Sequence, residues 1–209
     1  GGLHIHDNQA LKNLEGLSGL SQVVGDVTIE SNLLLENMSG FGSLTAVGGS
    51  LVIDENPELE SVDGFDSLAT VGGNLNLDNN ELLASIAGFQ SLTTVVGGVH
   101  IRENPVLTEI TGLSSLTTVG SVFYIRWNDA LVNLSGLSSL TTIGGVLYVI
   151  DNGELPDLTG LSSLMSVGLL SIWSNDKLVS VDGLTSLVTA GGLSVGSNQA
   201  LSNLNGLSS

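Results

Sequence analysis

Cysteine is absent from the 209 residues. Disulfides and thiolate-bound metals are therefore excluded, and a disulfide-rich ectodomain is disfavoured. Basic residues are almost as scarce. Lys12, Arg102, Arg126 and Lys177 are the whole complement against 21 acids, for a net charge of −17. That field repels nucleic acid and anionic membranes, so no nucleic-acid partner is expected. It leaves cations, basic partners and neutral ligands open, and it suits solubility in salty surroundings. Aromatic residues make up 4% of the chain while apolar residues make up 42%, so the core must be built from Leu, Val and Ile. Charged residues are 12%, about half the usual share. Aliphatic content this high is the opposite of a disordered chain. No apolar run approaches the roughly 20 residues a membrane helix needs, and no membrane insertion is expected. No signal peptide is visible. The chain opens Gly1-Gly2-Leu3 and stops partway through a repeat, which reads as a mature or excised piece of a longer array.

What is present is repetition. An Asn at the end of the motif apolar-x-apolar-x-x-Asn recurs at Asn8, Asn32, Asn56, Asn80, Asn104, Asn128, Asn152, Asn175 and Asn198, first every 24 residues and then, over the last two steps, every 23. A Gly column keeps step from Gly16 to Gly206, and a Leu column from Leu20 to Leu187. The apolar spacing never settles into a helical period. Short alternating stretches between Gly and Asn indicate strands with one buried face. The fifth unit has three of them: Val99–Ile101, Leu107–Ile110 and Leu116–Val119. A unit this short cannot cover its own apolar face, but stacked units cover one another. The sequence thus predicts an all-β, right-handed parallel β-solenoid of about nine 23–24-residue leucine-rich coils, with ladders along three sides. It forms one domain over residues 1–209, and nine rungs at about 4.8 Å make a rod near 40 Å long.

Gly is expected to supply left-handed turns and close backbone approach. Asn also tolerates the left-handed region, and its amide is expected to bond the backbone above and below. The Ser column (Ser43, Ser67, Ser91, Ser115, Ser139, Ser163, Ser186) is expected to satisfy turn groups in the same way.

These columns resemble the leucine-rich repeat superfamily. Stretches such as Leu51-Val52-Ile53-Asp54-Glu55-Asn56 match its core motif. The second half, x-G-L-x-S-L-T-T-V-G-G, is similar to receptor L-domain repeats of cell-surface proteins. The resemblance implies ligand binding on the face of the main sheet and an extracellular or cell-surface location. Receptor L domains carry cysteine-rich caps and this chain has no Cys, so no growth-factor role follows.

No unit carries an insertion, and without long loops a flat rod offers no water-excluding cleft. No catalytic residues are expected, and the chain is read as non-enzymatic. The outward positions of the Asn-motif strand carry the distinctive chemistry. Both Arg, both Tyr and both Trp lie there, between Arg102 and Trp173. His100, Arg102, Tyr124, Arg126, Trp127, Tyr148 and Trp173 are the candidate ligand-binding residues, because aromatics and Arg dominate binding hot spots. Arg102 and Arg126 fall on adjacent strands, where like charges are unfavourable. Asp78 is placed to pair Arg102, whereas Arg126 has the weaker claim on a partner. An anionic or hydroxyl-rich ligand would resolve that. Glycan is the favoured ligand class, since Trp and Tyr planes stack on sugars; a protein partner is the other.

Competing readings remain. The patch is sheet-stabilising and the chain a passive structural rod, stacked end to end with further repeats. The acidic column Glu30, Asp54 and Asp78 is a candidate calcium site, because hard cations want several oxygens; its bland reading is a solvated face. No other cofactor is expected. The same acids beside Arg on a parallel coil also suggest a polysaccharide lyase, which the absent loops disfavour. The pairs Thr93-Thr94, Thr117-Thr118 and Thr141-Thr142 suggest an ice-binding array, interrupted at Ser21-Gln22, Met165-Ser166 and Val188-Thr189. His4 and His6 are read as solvated.

Overall fold

The computed structural model describes residues 1–207. It is a β-solenoid of parallel strands wound in stacked coils of about 24 residues. The Asn-motif strands form the principal ladder. Its nine rungs are Leu3–His6, Val27–Glu30, Leu51–Asp54, Leu75–Asp78, Val99–Arg102, Phe123–Arg126, the end of Thr142–Ile150, the end of Ser166–Trp173, and Leu193–Gly196. Successive rungs pair in strict register, so Val99 faces Leu75 on one side and Phe123 on the other. A second ladder runs from Gln22–Val23 through Thr94–Val95 and Thr118–Val119 to Thr189–Ala190. At rungs 7 and 8 the two ladders join as continuous strands. The one-residue shortening of the repeat falls at that corner: Ile143 pairs with Val167, but Val146 pairs with Leu169.

The third side departs from the predicted ladder. In most coils it is a single 3₁₀ turn, such as Thr111–Leu113 or Ser135–Leu137. Only Ser61–Val62 and Ser85–Ile86 pair there as strands, extended by one bridge from Ser85 to Glu109. In the turns the backbone donors close within the coil, as Leu113 N–H does on Ile110 C=O at 3.2 Å, and are lost to a ladder between coils. The Gly column permits the packing. A Cβ at Gly160 would lie 1.8 Å from the carbonyl oxygen of Leu134 in the preceding coil, and at Gly64 1.7 Å from that of Met38.

The left-handed turns are not at Gly. No described Gly has a positive φ; the nine residues that do are those immediately before each ladder Asn, from Asp7 to Ser197, at φ 52–57°. The Asn amide explains the shape. Asn56 Nδ2 donates to the Asp54 carbonyl across the left-handed residue and to the Ile29 carbonyl of the coil before, while its Oδ1 accepts from Asn32 N–H. Repeated from coil to coil, this makes a buried polar spine that holds one corner of the rod. Of the Ser column, Ser43, Ser67 and Ser115 donate to carbonyls of the preceding coil at 2.6–2.7 Å.

The interior is aliphatic, as the composition requires, and takes in the four Phe. Phe41, Phe65 and Phe89 stack along the axis with centroids 4.8 and 5.2 Å apart. A buried Leu or Phe contributes roughly 1.5–3 kcal/mol through removal from water, and nearly every coil supplies several. The terminal coils are covered from one side only, so Leu3, Ile5, Val195 and Leu207 are partly buried.

Candidate functional site

Register brings the seven candidate residues onto one outward face spanning rungs 5 to 8. His100, Tyr124 and Tyr148 lie side by side in one column, followed by Ser171. Arg102, Arg126, Ile150 and Trp173 form the parallel column two residues on. Trp127 stands at the adjoining corner. Three rung steps of about 4.8 Å hold the whole set within about 15 Å along the axis.

Orientation within the columns differs from the expectation that Tyr planes lie open to sugars. Tyr124 and Tyr148 stack on each other, centroids 4.6 Å apart and planes 3° from parallel. His100 meets Tyr124 from the rung before at 84°. Side chains on a straight parallel ladder repeat at the rung spacing, so flat rings stack along the axis. The shared face of the Tyr pair is closed to a ligand, and neither phenol hydroxyl makes a hydrogen bond among the described residues. Trp173 lies over Gly196, where a Cβ would come within 2.6 Å of the ring, and its Nε1 donates to Ser194 Oγ at 2.9 Å. Trp127 is 40% exposed and Trp173 39%. Trp127 also occupies a left-handed backbone position at φ 56°, which is uncommon for so bulky a residue. Its neighbours in that column are Glu103 and Asp151.

The two Arg resolve their repulsion by turning opposite ways. Arg102 makes two hydrogen bonds back to Asp78, Nε to Oδ1 at 3.2 Å and Nη2 to Oδ2 at 2.7 Å. The Asp78 side chain is only 5% exposed, so this pair is a fixture of the sheet. Arg126 turns forward and to the corner. Its guanidinium carbon sits 3.5 Å from the Trp127 ring centroid, and its Nε is 3.5 Å from Asp151 Oδ2. That separation is an ion pair without a hydrogen bond; Nε is buried and has no hydrogen-bond partner. The guanidinium as a whole donates no hydrogen bond among the described residues. His100 Nδ1 and Asn76 Oδ1, on neighbouring rungs, are likewise buried without one.

Burial and the nearby Arg102 charge push the His100 pKa below 6.5, against the opposing pull of Asp78. Desolvation holds the Asp54 carboxyl above its ordinary range, with Asn79 donating to Oδ1 at 3.0 Å in partial compensation. The acidic column Glu30, Asp54, Asp78 is in register across three rungs. Asp78 is committed to Arg102 and Asp54 accepts from Asn79, and no group of three His, Asp or Glu among the described residues is arranged to hold a metal. The Thr array is also engaged with its own backbone. Thr93, Thr117 and Thr141 donate to carbonyls of the preceding coil at 3.3, 3.0 and 3.1 Å.

Beside the face runs an open depression of about 480 Å³, lined by Asn79, Glu81, Glu103, Pro105 and Trp127. Sequence reasoning missed this groove, and it missed Asp151 as the partner of Arg126. Asp151 had a signal: it occupies the same corner column as Trp127, one rung on. No helix among the described residues is long and apolar enough to cross a membrane.

Comparison with protein-family models, curated proteins and solved structures returns no match.

Proposed function

We propose that this solenoid is a non-enzymatic recognition module, secreted or displayed on a cell surface, that binds glycan across the outward face of rungs 5 to 8. The observation that carries this reading is a contrast along the rod. Rungs 1 to 4 have the same buried Asn spine and aliphatic core without one outward Tyr, Trp or Arg. The fold therefore does not require these residues, yet all six of the chain fall on one contiguous surface. Aromatic side chains and Arg are the types that anchor binding, and the Tyr hydroxyls and the Arg126 donors are free to meet a polyhydroxylated ligand. The resemblance to receptor L-domain repeats points the same way. Glycan-array screening of the wild-type protein beside a Tyr124→Ala/Arg126→Ala variant tests it: a hit that disappears in a variant that stays folded, with melting lowered by no more than loss of the Tyr124 ring contacts accounts for, is the expected result.

A passive structural rod is the second reading. It is favoured by the Arg102–Asp78 pair and the Tyr124–Tyr148 stack, both of which are internal contacts. Under that reading the double variant loses stability and neither protein binds a glycan.

A further inference from the structure

We infer that Arg126 is a carboxylate-reading group, and that the glycan bound at this face carries an isolated uronic acid. This rests on the recognition reading above and adds the chemical class of the ligand.

Four cationic side chains exist in the chain, and three are neutralised by hydrogen-bonded acids. Lys12 donates to Glu36, Arg102 to Asp78, and Lys177 to Glu154. Arg126 alone has no hydrogen bond, although Asp151 stands within ion-pair distance of its Nε edge. The four N–H bonds on its two Nη atoms have no acceptor among the described residues. An Arg fork matches a carboxylate bidentately, and a charge-assisted pair of this kind is about twice as strong as a neutral one. The fork is also already held. Stacking on Trp127 at 3.5 Å fixes the plane, so less side-chain freedom is lost when a ligand arrives. Trp127 reaches that position from a left-handed corner that other coils fill with small or acidic residues.

The surroundings select the rest of the ligand. The groups around Arg126 on the face are Tyr124, Tyr148 and His100, with Arg102 and the aliphatic Ile150 on either side in its own column. They are hydrogen-bonding groups suited to sugar hydroxyls, and they form no pocket for a peptide side chain. A polyuronate is disfavoured. Asp151 and Glu103 flank the site, and a net charge of −17 opposes any dense anion. One carboxylate on a neutral chain meets the fork without setting further anions against the acidic corner.

The test uses neutral glucan, xylan, mannan and galactan oligosaccharides, each bearing a single uronic acid, beside the same molecules with that carboxyl reduced to the alcohol. Affinities are measured for the wild type, Arg126→Gln, Arg126→Lys and Lys177→Gln, with melting temperatures to confirm folding. The expected result is that one acid form binds the wild type roughly 10- to 100-fold more tightly than its reduced twin, as a charge-assisted bidentate pair requires. Arg126→Gln erases that difference, Arg126→Lys restores part of it, and Lys177→Gln leaves it intact. Equal binding of acid and alcohol overturns the carboxylate assignment and leaves glycan recognition standing. A preference that survives Arg126→Gln overturns Arg126 as its seat. Silence across the whole panel overturns both readings.

Discussion

Rungs 1 to 4 and rungs 5 to 8 are the same object inside and different objects outside. Both halves bury large apolar side chains at equivalent positions, and both carry the Asn spine. On the outer face the first half shows His, Thr, Val, Asn and acids, whereas the second adds Tyr, Arg and Trp. In a stacked coil the inward columns must satisfy the neighbour on either side. The outward columns have no such duty, and chemistry that varies there reports on something other than folding.

The sharpest way to break the comparison is to damage an inward column once in each half. Gly64→Ala and Gly160→Ala each force a Cβ to within 1.7–1.8 Å of a carbonyl oxygen in the coil before. Relief requires the coils to part, and each variant is expected to lose on the order of 4–5 kcal/mol, the range of severe core defects. Denaturant melts should show the two losses alike within about 1 kcal/mol. A large loss in one half only would mean that the halves are not structurally equivalent.

The inward columns were also the legible ones. The Asn period fixed the register of nine rungs, including the 23-residue step, because a spine that bonds coil to coil tolerates little drift. General propensity points to Gly or Asn for the left-handed corner, but here the Asn amide reaches back to the carbonyl of Asp54, Asp78 or Arg126 and imposes the turn on whichever residue lies between. On the third side, spacing alone predicts a strand from Leu107 to Ile110. There Leu107 and Ile110 are both inward, but only Glu109 bridges to the coil before, and the chain turns into the 3₁₀ segment Thr111–Leu113 directly after Ile110; so short a pattern does not separate strand from turn. At the candidate site, column membership was readable for all seven residues. Direction was not: nothing in the spacing says that Arg102 turns back to Asp78 while Arg126 turns forward to Trp127.

That divergence gives a sharper, smaller test. Arg102→Gln strands a nearly buried Asp78 carboxylate and is expected to cost about 2–3 kcal/mol, as loss of a charged hydrogen-bonded partner does. Arg126→Gln removes a stack and a long ion pair at a half-exposed corner, and is expected to change stability by under about 0.5 kcal/mol. Equilibrium urea unfolding of the two variants measures this directly. Equal losses would place Arg126 with Arg102 as a structural cation and remove the distinction between framework and face.

The smallest effect contrasts two outward histidines in different halves, in neighbouring columns of the same face. His6 in rung 1 is solvent-exposed and bonded to Asp7, which raises its pKa above 6.5. His100 in rung 5 is half-buried beside Arg102, and its pKa is lowered. For His6 the folded state holds its proton more tightly than the unfolded chain, so any stabilisation is present below pH 6.5 and fades as pH rises through the folded value. For His100 the sign is opposite. The folded state resists protonation, so its contribution is intact above pH 6.5 and is lost as pH falls through the lower folded value. Imidazole proton shifts followed by NMR should separate the two titrations on either side of 6.5, and His100→Gln should lessen the loss of stability between pH 7 and pH 5. Coincident titration near 6.5 would mean that the face around Tyr124 is as wet as the first rung, which removes the desolvation that would strengthen a charged contact to ligand at Arg126.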